Sequence, residues 1–303
     1  MKKVLALFII LIVIIGVLVV GSQNNKTTNV NSESDVTVGS EENDAETTVQ
    51  REEPLSREDF YLYKEVFDGS GYTYRQDGQI LTIFHEGNET EIESEFIYDE
   101  NGMLKMVKDQ YFGDAYFDYV YFGDFYVGEA TYERGDVSLR YTYDDNYTLV
   151  KREQIRGSDI ITYEALYNED GNIIKTVESE TGWHTIVKKF NDKGVLIREE
   201  EYSNDGELIF FADYDSKGIL KKREWLTEGE IYKYSEVKKN GSEYIEYIYR
   251  NGYTDDYYEE NGLPTGSFVC EMEIKREYNE YALITSYFEC GMGGYYEYRL
   301  KDE

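Results

Sequence analysis

Cysteine, proline and histidine are scarce in this chain, which has two of each among its 303 residues. So few thiols and imidazoles exclude a disulfide-rich scaffold and disfavour a metal centre. No nucleophile elbow, phosphate-cradling loop or paired His-Glu helix motif is present. We therefore expect no metal, no cofactor and no catalytic residue, and interpret the chain as non-catalytic.

Basic residues are also few, since 31 Lys and Arg stand against 62 Asp and Glu and give a formal net charge of −31. Binding to a phosphate backbone requires clustered positive charge, so nucleic acid is excluded as a partner. By contrast, aromatic residues make up 16% of the chain and 32 of them are Tyr. That content argues against disorder of the whole chain and, with so little Pro, favours β-strands.

The N-terminus carries an export signal. Two Lys follow Met1, and the next seventeen residues, Val4 to Val20, are apolar without interruption. This run is longer than a usual signal-peptide core of roughly 7–15 residues and short for a membrane-spanning helix of roughly 17–25 residues. Residues 1–21 are therefore either a signal peptide or a transmembrane signal anchor. We expect an exported protein, held at the cell membrane by this hydrophobic helix or secreted if Val4–Gly21 is cleaved.

Residues 22–55 are rich in Ser, Thr, Asn and acids and contain no aromatic residue. Such a composition cannot bury enough apolar surface to fold, so this segment is predicted to be a disordered acidic linker. The linker leads into a repeat domain at residues 56–303, and the membrane is contacted through the N-terminal segment alone. The start of that domain, Ser56 to Phe67, reads equally as a short capping helix or as a first strand.

A motif recurs in the repeat domain at steps of about 23 residues. It reads aromatic, then Asp, Asn or Ser, two variable residues, Gly, one variable residue, and Leu or Ile. Copies begin at Tyr98, Tyr143, Tyr167, Phe190, Tyr202 and Tyr214, and degenerate copies are found near Tyr121 and at Tyr258 and Tyr278. A period of this length indicates a repeat architecture.

Turn geometry explains the motif as a β-hairpin. Asp or Asn followed three residues later by Gly suits a three-residue loop in which Gly is left-handed. The aromatic residue then lies across from the aliphatic residue six positions later, and such cross-strand pairs stabilise a sheet. The predicted sets are Tyr98, Gly102 and Leu104; Tyr167, Gly171 and Ile173; Phe190, Gly194 and Leu196; Tyr202, Gly206 and Leu208; and Tyr214, Gly218 and Leu220.

The predicted fold is therefore all-β: an elongated antiparallel meander of hairpin repeats, in an open twisted or solenoid-like sheet. Apolar and polar residues alternate only moderately along the strands, so we expect no thick two-layer core. Tyr rings would cover the sheet and leave their hydroxyls in water.

The motif Tyr-Asp-x-x-Gly-x-Leu, at this spacing, resembles the YD repeats of Rhs-type proteins and the MORN-like variant repeats of YwqK-type antitoxin proteins. The resemblance covers about 200 residues and implies an all-β hairpin array.

The two cysteines suggest a disulfide. If the last hairpin turns at Tyr278 to Ala282, Cys270 and Cys290 lie ten residues on either side and face each other. Cross-strand Cα separations of roughly 4.5–5.5 Å suit a disulfide, and export removes both thiols from the reducing cytosol. The alternative is two free buried thiols.

The function we expect is a surface binding or structural module whose partner is an unknown surface protein or a glycan. Trp183 and Trp225 are candidates for stacking on sugar rings, or else they pack within the sheet. Two alternatives stay open: a membrane-anchored immunity or antitoxin-like protein, and an extracellular hydrolase acting on glycans.

Overall fold

The computed structural model describes residues 57, 60–67, 70–76, 78–85, 88–241, 243–252, 258, 261, 263–289 and 292–300. The signal or anchor segment 1–21 and the linker 22–55 lie outside these residues, so both stay predictions. None of the described residues forms a helix with the length and apolar character needed to span a bilayer.

The elements whose bounds the structure describes are β-strands. They are β1 (Phe60–Phe67), β2 (Ser70–Tyr74), β3 (Ile80–His85), β4 (Asn88–Tyr98), β5 (Leu104–Asp109), β6 (Gly113–Tyr116), β7 (Asp118–Phe122), β8 (Phe125–Thr131), β9 (Val137–Asp144), β10 (Leu149–Arg156), β11 (Asp159–Tyr167), β12 (Ile173–Glu180), β13 (His184–Phe190), β14 (Leu196–Ser203), β15 (Leu208–Tyr214), β16 (Leu220–Thr227), β17 (Glu230–Asn240), β18 (Glu243–Arg250), β19 (Val269–Tyr278), β20 (Ile284–Glu289) and β21 (Met292–Leu300). Of the segment Ser56 to Phe67, which reads as helix or strand in the sequence, the part Phe60–Phe67 is thus a strand, β1.

Neighbouring strands along the chain pair antiparallel, so the predicted all-β hairpin meander is confirmed. The sheet does not stay open, however, because β1 also pairs with β21, from Phe60 opposite Leu300 to Phe67 opposite Gly294. Strand twist accumulates around a long meander and brings its ends together. The expectation of an open, elongated sheet is therefore corrected to a sheet that curls until its first and last strands meet.

The meander changes partners at one point, between β6 and β7. These two strands are separated only by Phe117 and run on in the same direction. The first half, β6, pairs with β5, whereas the second half, β7, pairs with β8. The sheet is therefore staggered at this junction, and β7 diverges from β5.

The repeat motif forms one kind of turn. Tyr98 lies across from Leu104, and the bulge that follows allows Gly102 to adopt a φ of 86°. Asp99 explains the second motif position, because its Oδ1 accepts hydrogen bonds from the N–H groups of Asn101 and Met103, both at 2.9 Å. The other cross-strand pairs are Tyr167 with Ile173, Phe190 with Leu196, Tyr202 with Leu208, and Tyr214 with Leu220. The matching glycines, Gly171, Gly194, Gly206 and Gly218, have φ between 75° and 81°.

Some copies differ from the sequence reading. Tyr147 and Ala282 stand in the glycine position of two copies and still adopt φ of 62° and 61°. A further copy, Tyr-Arg-Gln-Asp-Gly-Gln-Ile, begins at Tyr74, which lies across from Ile80. The degenerate copy at Tyr258 begins between β18 and β19, and its residues 259, 260 and 262 lie outside those that the structure describes.

The inner face of the curled sheet holds two apolar clusters that are rich in Tyr. The first contains Met103, Leu104, Val107, Ala115, Phe117, Ala130, Leu139, Tyr141 and Tyr143, and the second contains Leu62, Tyr72, Tyr74, Ile80 and Ile83. Several Tyr hydroxyls donate to backbone carbonyls instead of facing water, as Tyr98 does to Ile80 O at 2.7 Å and Tyr167 to Leu149 O at 2.8 Å. These rings therefore fasten neighbouring strands to each other.

Candidate functional site

The β7–β8 hairpin ends in a two-residue turn, Gly123-Asp124, between Phe122 and its cross-strand partner Phe125. Gly123 has a φ of 63°, a conformation that suits Gly at the first position of a tight hairpin turn. The sequence reading placed a degenerate repeat turn near Tyr121. The structure corrects it to this shorter turn, which lacks the Asp-x-x-Gly loop of the other copies.

Large apolar side chains stand in solvent along the outer face of this segment. The exposed fractions are 61% for Tyr116, 67% for Val120, 79% for Phe122 and 43% for Phe125. Alternate residues of a strand share a face, so Val120 and Phe122 are neighbours on it, Asp118 separates them from Tyr116, and Phe125 lies beside Phe122. These four residues are called the exposed stripe below. Contiguous apolar surface of this kind marks interaction sites in soluble proteins.

The strand that carries the stripe has an open hydrogen-bonding edge. Among the described residues, β7 is paired with β8 and with no other strand. The same edge of β6 is covered by β5, from Asp109 opposite Gly113 to Met106 opposite Tyr116, and this cover ends where Phe117 N donates to Lys105 O at 3.0 Å. The open edge therefore coincides with β7, Asp118–Phe122.

The inner face of the hairpin is held firmly. The Tyr119 ring lies against Gly128, where an added Cβ would come within 2.6 Å of it. Tyr119 also stands edge-on to Tyr143, with ring centroids 5.7 Å apart, and Tyr126 stacks on Tyr147 at 5.1 Å. Burial raises the pKa of the Tyr119 hydroxyl, so this group stays neutral. These contacts fix the inner face of the hairpin against the rest of the sheet.

The charged residues of the segment that carries the stripe are all acidic, although Lys108 of β5 lies across from Asp114 and near Tyr116. No Lys, Arg or His occurs between positions 109 and 133. The acids of that segment are Asp109, Asp114, Asp118, Asp124, Glu129 and Glu133. Glu129 forms an ion pair with Arg140 of β9, whereas Asp118 and Asp124 are exposed beside the stripe. The local field is therefore negative at the hairpin tip.

Two inner-face carboxyl groups have strongly shifted pKa values. Burial raises the pKa of Glu65 to about 7, although the Tyr74 hydroxyl donates to its Oε1 at 2.6 Å. Burial also raises the pKa of Glu178 to about 7, against the attraction of Arg152 and Lys188. Glu65 is only 1% exposed, so it does not face a surface where a glycan can bind.

A shallow depression of about 240 Å³ lies at the turn end of β16–β18 and is lined by Asp215, Ile219, Leu220, Lys221, Val237, Lys239 and Tyr244. Across the described residues, no group of three or more His, Cys, Asp or Glu side chains is arranged to hold a metal ion. The exposed stripe and the open β7 edge are thus the most distinctive surface feature.

The structure places the other sequence candidates apart from this hairpin. Cys270 is exposed in β19, and Cys290 lies outside the described residues, so the disulfide stays a prediction. The register of that hairpin differs from the one expected, since Glu289 lies across from Ile274. Trp183 is 66% exposed in the turn after β12, whereas Trp225 packs on Phe210 at 5.2 Å.

The sequence does not predict the exposed stripe, because the Tyr residues are expected to cover the sheet. A signal was nevertheless present in the segment 109–133, which combines aromatic residues, acids and no bases. A sheet that packs on one side buries only one face of each strand. The apolar residues Tyr119, Val120, Tyr121 and Phe122 occupy both faces of β7, so one of these faces has to be exposed.

Comparison with known proteins shows no matching protein-family model and no matching curated protein. Among solved structures, the chain is similar to a porin-like protein from Bacteroides uniformis, with 10% identity, a TM-score of 0.24, and coverage of 60% of this chain and 94% of that one. It is also similar to a chain of the TcdB2-TccC3-Cdc42 complex, with 12% identity, a TM-score of 0.22 and coverage of 71% of this chain. A chain of the Photorhabdus luminescens Tc holotoxin pore matches with 14% identity, a TM-score of 0.20 and coverage of 76% of this chain. The chain spans 15% and 14% of the lengths of these last two chains.

Proposed function

We propose that this chain is a non-catalytic, exported binding module that presents the β7–β8 hairpin to a protein or glycan at a cell surface. The observation that carries the proposal is the exposed stripe, in which Phe122 is 79% and Val120 67% exposed on a firmly supported strand. Leaving such side chains in water forgoes roughly 1.5–3 kcal/mol of burial for each, which a binding partner recovers.

The sequence supplies the setting for this proposal. The apolar run Val4 to Val20 directs the chain across a membrane, and the acidic linker 22–55 holds the repeat domain away from it. The motif's resemblance to YD and MORN-like repeats supports a scaffold role for the sheet, with binding at a local departure from the repeat. The hairpin at Phe122 is such a departure, because its turn has two residues instead of three.

The test is retention of surface material by the immobilised full chain. Extract from the native cell surface is passed over wild type, over a Val120→Ser/Phe122→Ser variant, and over a control variant, Leu166→Ser/Phe288→Ser. The control residues are 56% and 53% exposed and lie elsewhere on the sheet. We expect one species to be retained by wild type and control and lost by the hairpin variant. Hydrolysis of extract glycans without retention, or equal retention by all three proteins, contradicts the proposal.

A further inference from the structure

We infer that the β7 edge binds an extended peptide segment rich in Lys or Arg, which adds to the sheet as one more antiparallel or parallel strand beside Asp118–Phe122. The inference rests on the proposed function and names the chemistry of the partner. Three observations carry it: the open edge, the exposed stripe beside it, and the sign of the surrounding charge.

The open edge supplies the main-chain contacts. In a hairpin closed by a two-residue turn, the pair that flanks the turn exchanges both backbone hydrogen bonds, which here are Phe122 and Phe125. Bonding then alternates along the strand, so the backbone N–H and C=O groups of Tyr119 and Tyr121 point away from β8. An added strand takes hydrogen bonds from such an edge in the manner of β-augmentation.

The exposed stripe supplies side-chain contacts on the outer face. Val120 and Phe122 alternate with Tyr119 and Tyr121, so a neighbouring strand places every second side chain against the stripe. Apolar residues at those positions of the peptide bury exposed area of Val120 and Phe122. The peptide is therefore expected to alternate apolar and charged residues.

The charge decides between the possible occupants. A second copy of this chain would bring Asp118 and Asp124 of two hairpins together in proteins that each carry a formal charge of −31. The chain's own linker is disfavoured for the same reason, because residues 22–55 hold eight acids and two bases. A basic segment is attracted by the same field, which also steers its approach.

The test measures peptide binding to the full chain in detergent. The probe is a synthetic ten-residue peptide that alternates Lys with Val or Phe, and its counterpart replaces every Lys by Glu. We expect the basic peptide to bind and the acidic one not to bind. We also expect binding to weaken by about tenfold between roughly 50 and 300 mM salt, because exposed charge pairs are screened.

Edge pairing is tested with variants of one residue. Tyr121→Pro removes an outward N–H without removing a β7–β8 hydrogen bond, whereas Tyr121→Ala removes the same ring and keeps the N–H. We expect Tyr121→Pro to weaken binding at least tenfold, as estimated from the loss of edge hydrogen bonds, and Tyr121→Ala to bind within a few-fold of wild type. Circular dichroism of both variants establishes that the sheet is intact. Equal binding by the two folded variants overturns the inference.

Charge is tested separately with Asp118→Asn/Asp124→Asn against a control, Asp205→Asn/Glu207→Gln, that removes two exposed acids from the β14–β15 turn. Only the first variant should lose affinity for the basic peptide. Dimerisation of wild type that Tyr121→Pro abolishes identifies a second copy as the occupant and overturns the inference. If surface retention depends on Val120 and Phe122 but no basic peptide binds, the inference fails and the proposed function stands.

Discussion

The hydroxyl of Tyr143 accepts a hydrogen bond from the backbone N–H of Leu104 at 3.0 Å, although 39 residues separate them. The carbonyl of Leu104 accepts a second bond, from the Tyr119 hydroxyl at 2.8 Å. Leu104 begins β5 at the level where β7 has diverged from it. Two Tyr hydroxyls therefore replace the backbone partner that a continuous sheet would supply. Because of them, β7 diverges from β5 while the buried N–H and C=O groups of Leu104 stay hydrogen-bonded.

Replacing Tyr143 by Phe should test this arrangement. Leu104 is fully buried, so its N–H has no access to water once the hydroxyl is gone. A buried donor without a partner costs about 1–3 kcal/mol, and we expect the free energy of unfolding in urea to fall by that amount. Tyr121→Phe is the control, because Tyr121 is exposed. Equal stability of the two variants would show that the Tyr143 hydroxyl has no such role.

The repeat glycines should differ in their tolerance of Ala. Gly206 and Gly218 share φ values of 81° and 80°. Each Gly→Ala change therefore introduces left-handed strain of roughly 1–2 kcal/mol. An added Cβ at Gly206 meets no atom within 4 Å, whereas at Gly218 it lies 3.1 Å from Val195 Cγ1 and 3.2 Å from Arg57 Nη1.

We expect thermal unfolding to show a larger loss for Gly218→Ala than for Gly206→Ala. Arg57 Nη1 donates to Lys217 O at 2.5 Å and to Ala282 O at 2.7 Å, so crowding at Gly218 also disturbs a bridge between two distant turns. Losses of the same size in both variants would mean that the conformation of the glycine alone determines the effect.

Local turn chemistry is the part of this fold that the sequence predicts well. Tyr98 and Leu104 face each other because the Asp-x-x-Gly loop between them allows one register, and the same reasoning applies at Tyr214 and Leu220. The pairing of β1 with β21 was beyond such reasoning. It joins Phe60 to Leu300 across almost the whole domain. No turn connects these two strands, so turn residues in the sequence do not predict that they pair.

The candidate site could not be predicted from the sequence for a different physical reason. Phe122 and Tyr121 belong to the same residue types that fill the inner clusters, so composition does not tell an exposed ring from a buried one. The exposure arises because β7 separates from β5 after Phe117, and that separation depends on three-dimensional packing around Leu104.

Stability should depend on pH through Glu65. Burial raises the pKa of this carboxyl from 4.5 to about 7, so the folded chain binds a proton more tightly than the unfolded chain. The stabilising contribution of the Glu65 carboxyl to the free energy of unfolding is fully present below about pH 4.5. It is lost as the pH rises through about 7. The loss amounts to roughly 3 kcal/mol at most, at about 1.4 kcal/mol per pKa unit.

We therefore expect Glu65→Gln to be more stable than wild type at pH 8 and to differ little from it at pH 4.5. Glu100→Gln removes one charge from an exposed turn and controls for the overall self-repulsion of this acidic chain. Urea unfolding of the three proteins at both pH values gives the comparison. An equal gain for Glu65→Gln at both pH values would contradict titration of Glu65 as the cause.

Glu246 should be the most sensitive charge in the sheet. It is fully buried and accepts a hydrogen bond from Arg276 Nη1, while Arg223 Nε lies 3.5 Å from its Oε1. Burial alone would raise the pKa of Glu246, but Arg223 and Arg276 hold it below its usual value. Removing one partner of a buried ion pair leaves an uncompensated charge, at a cost of about 3–5 kcal/mol.

Glu246→Gln should therefore unfold at a much lower urea concentration than wild type, because the Arg276 guanidinium stays buried without a counter-charge. The control is Glu273→Gln on the adjacent strand β19, where the carboxyl is exposed and its loss should change stability by less than about 0.5 kcal/mol. A double variant, Glu246→Gln/Arg276→Met, removes the buried positive charge as well and should recover part of the loss. If the double variant has a lower free energy of unfolding than Glu246→Gln, the expectation is wrong. Packing of the Arg276 side chain, rather than its charge, then stabilises this part of the sheet.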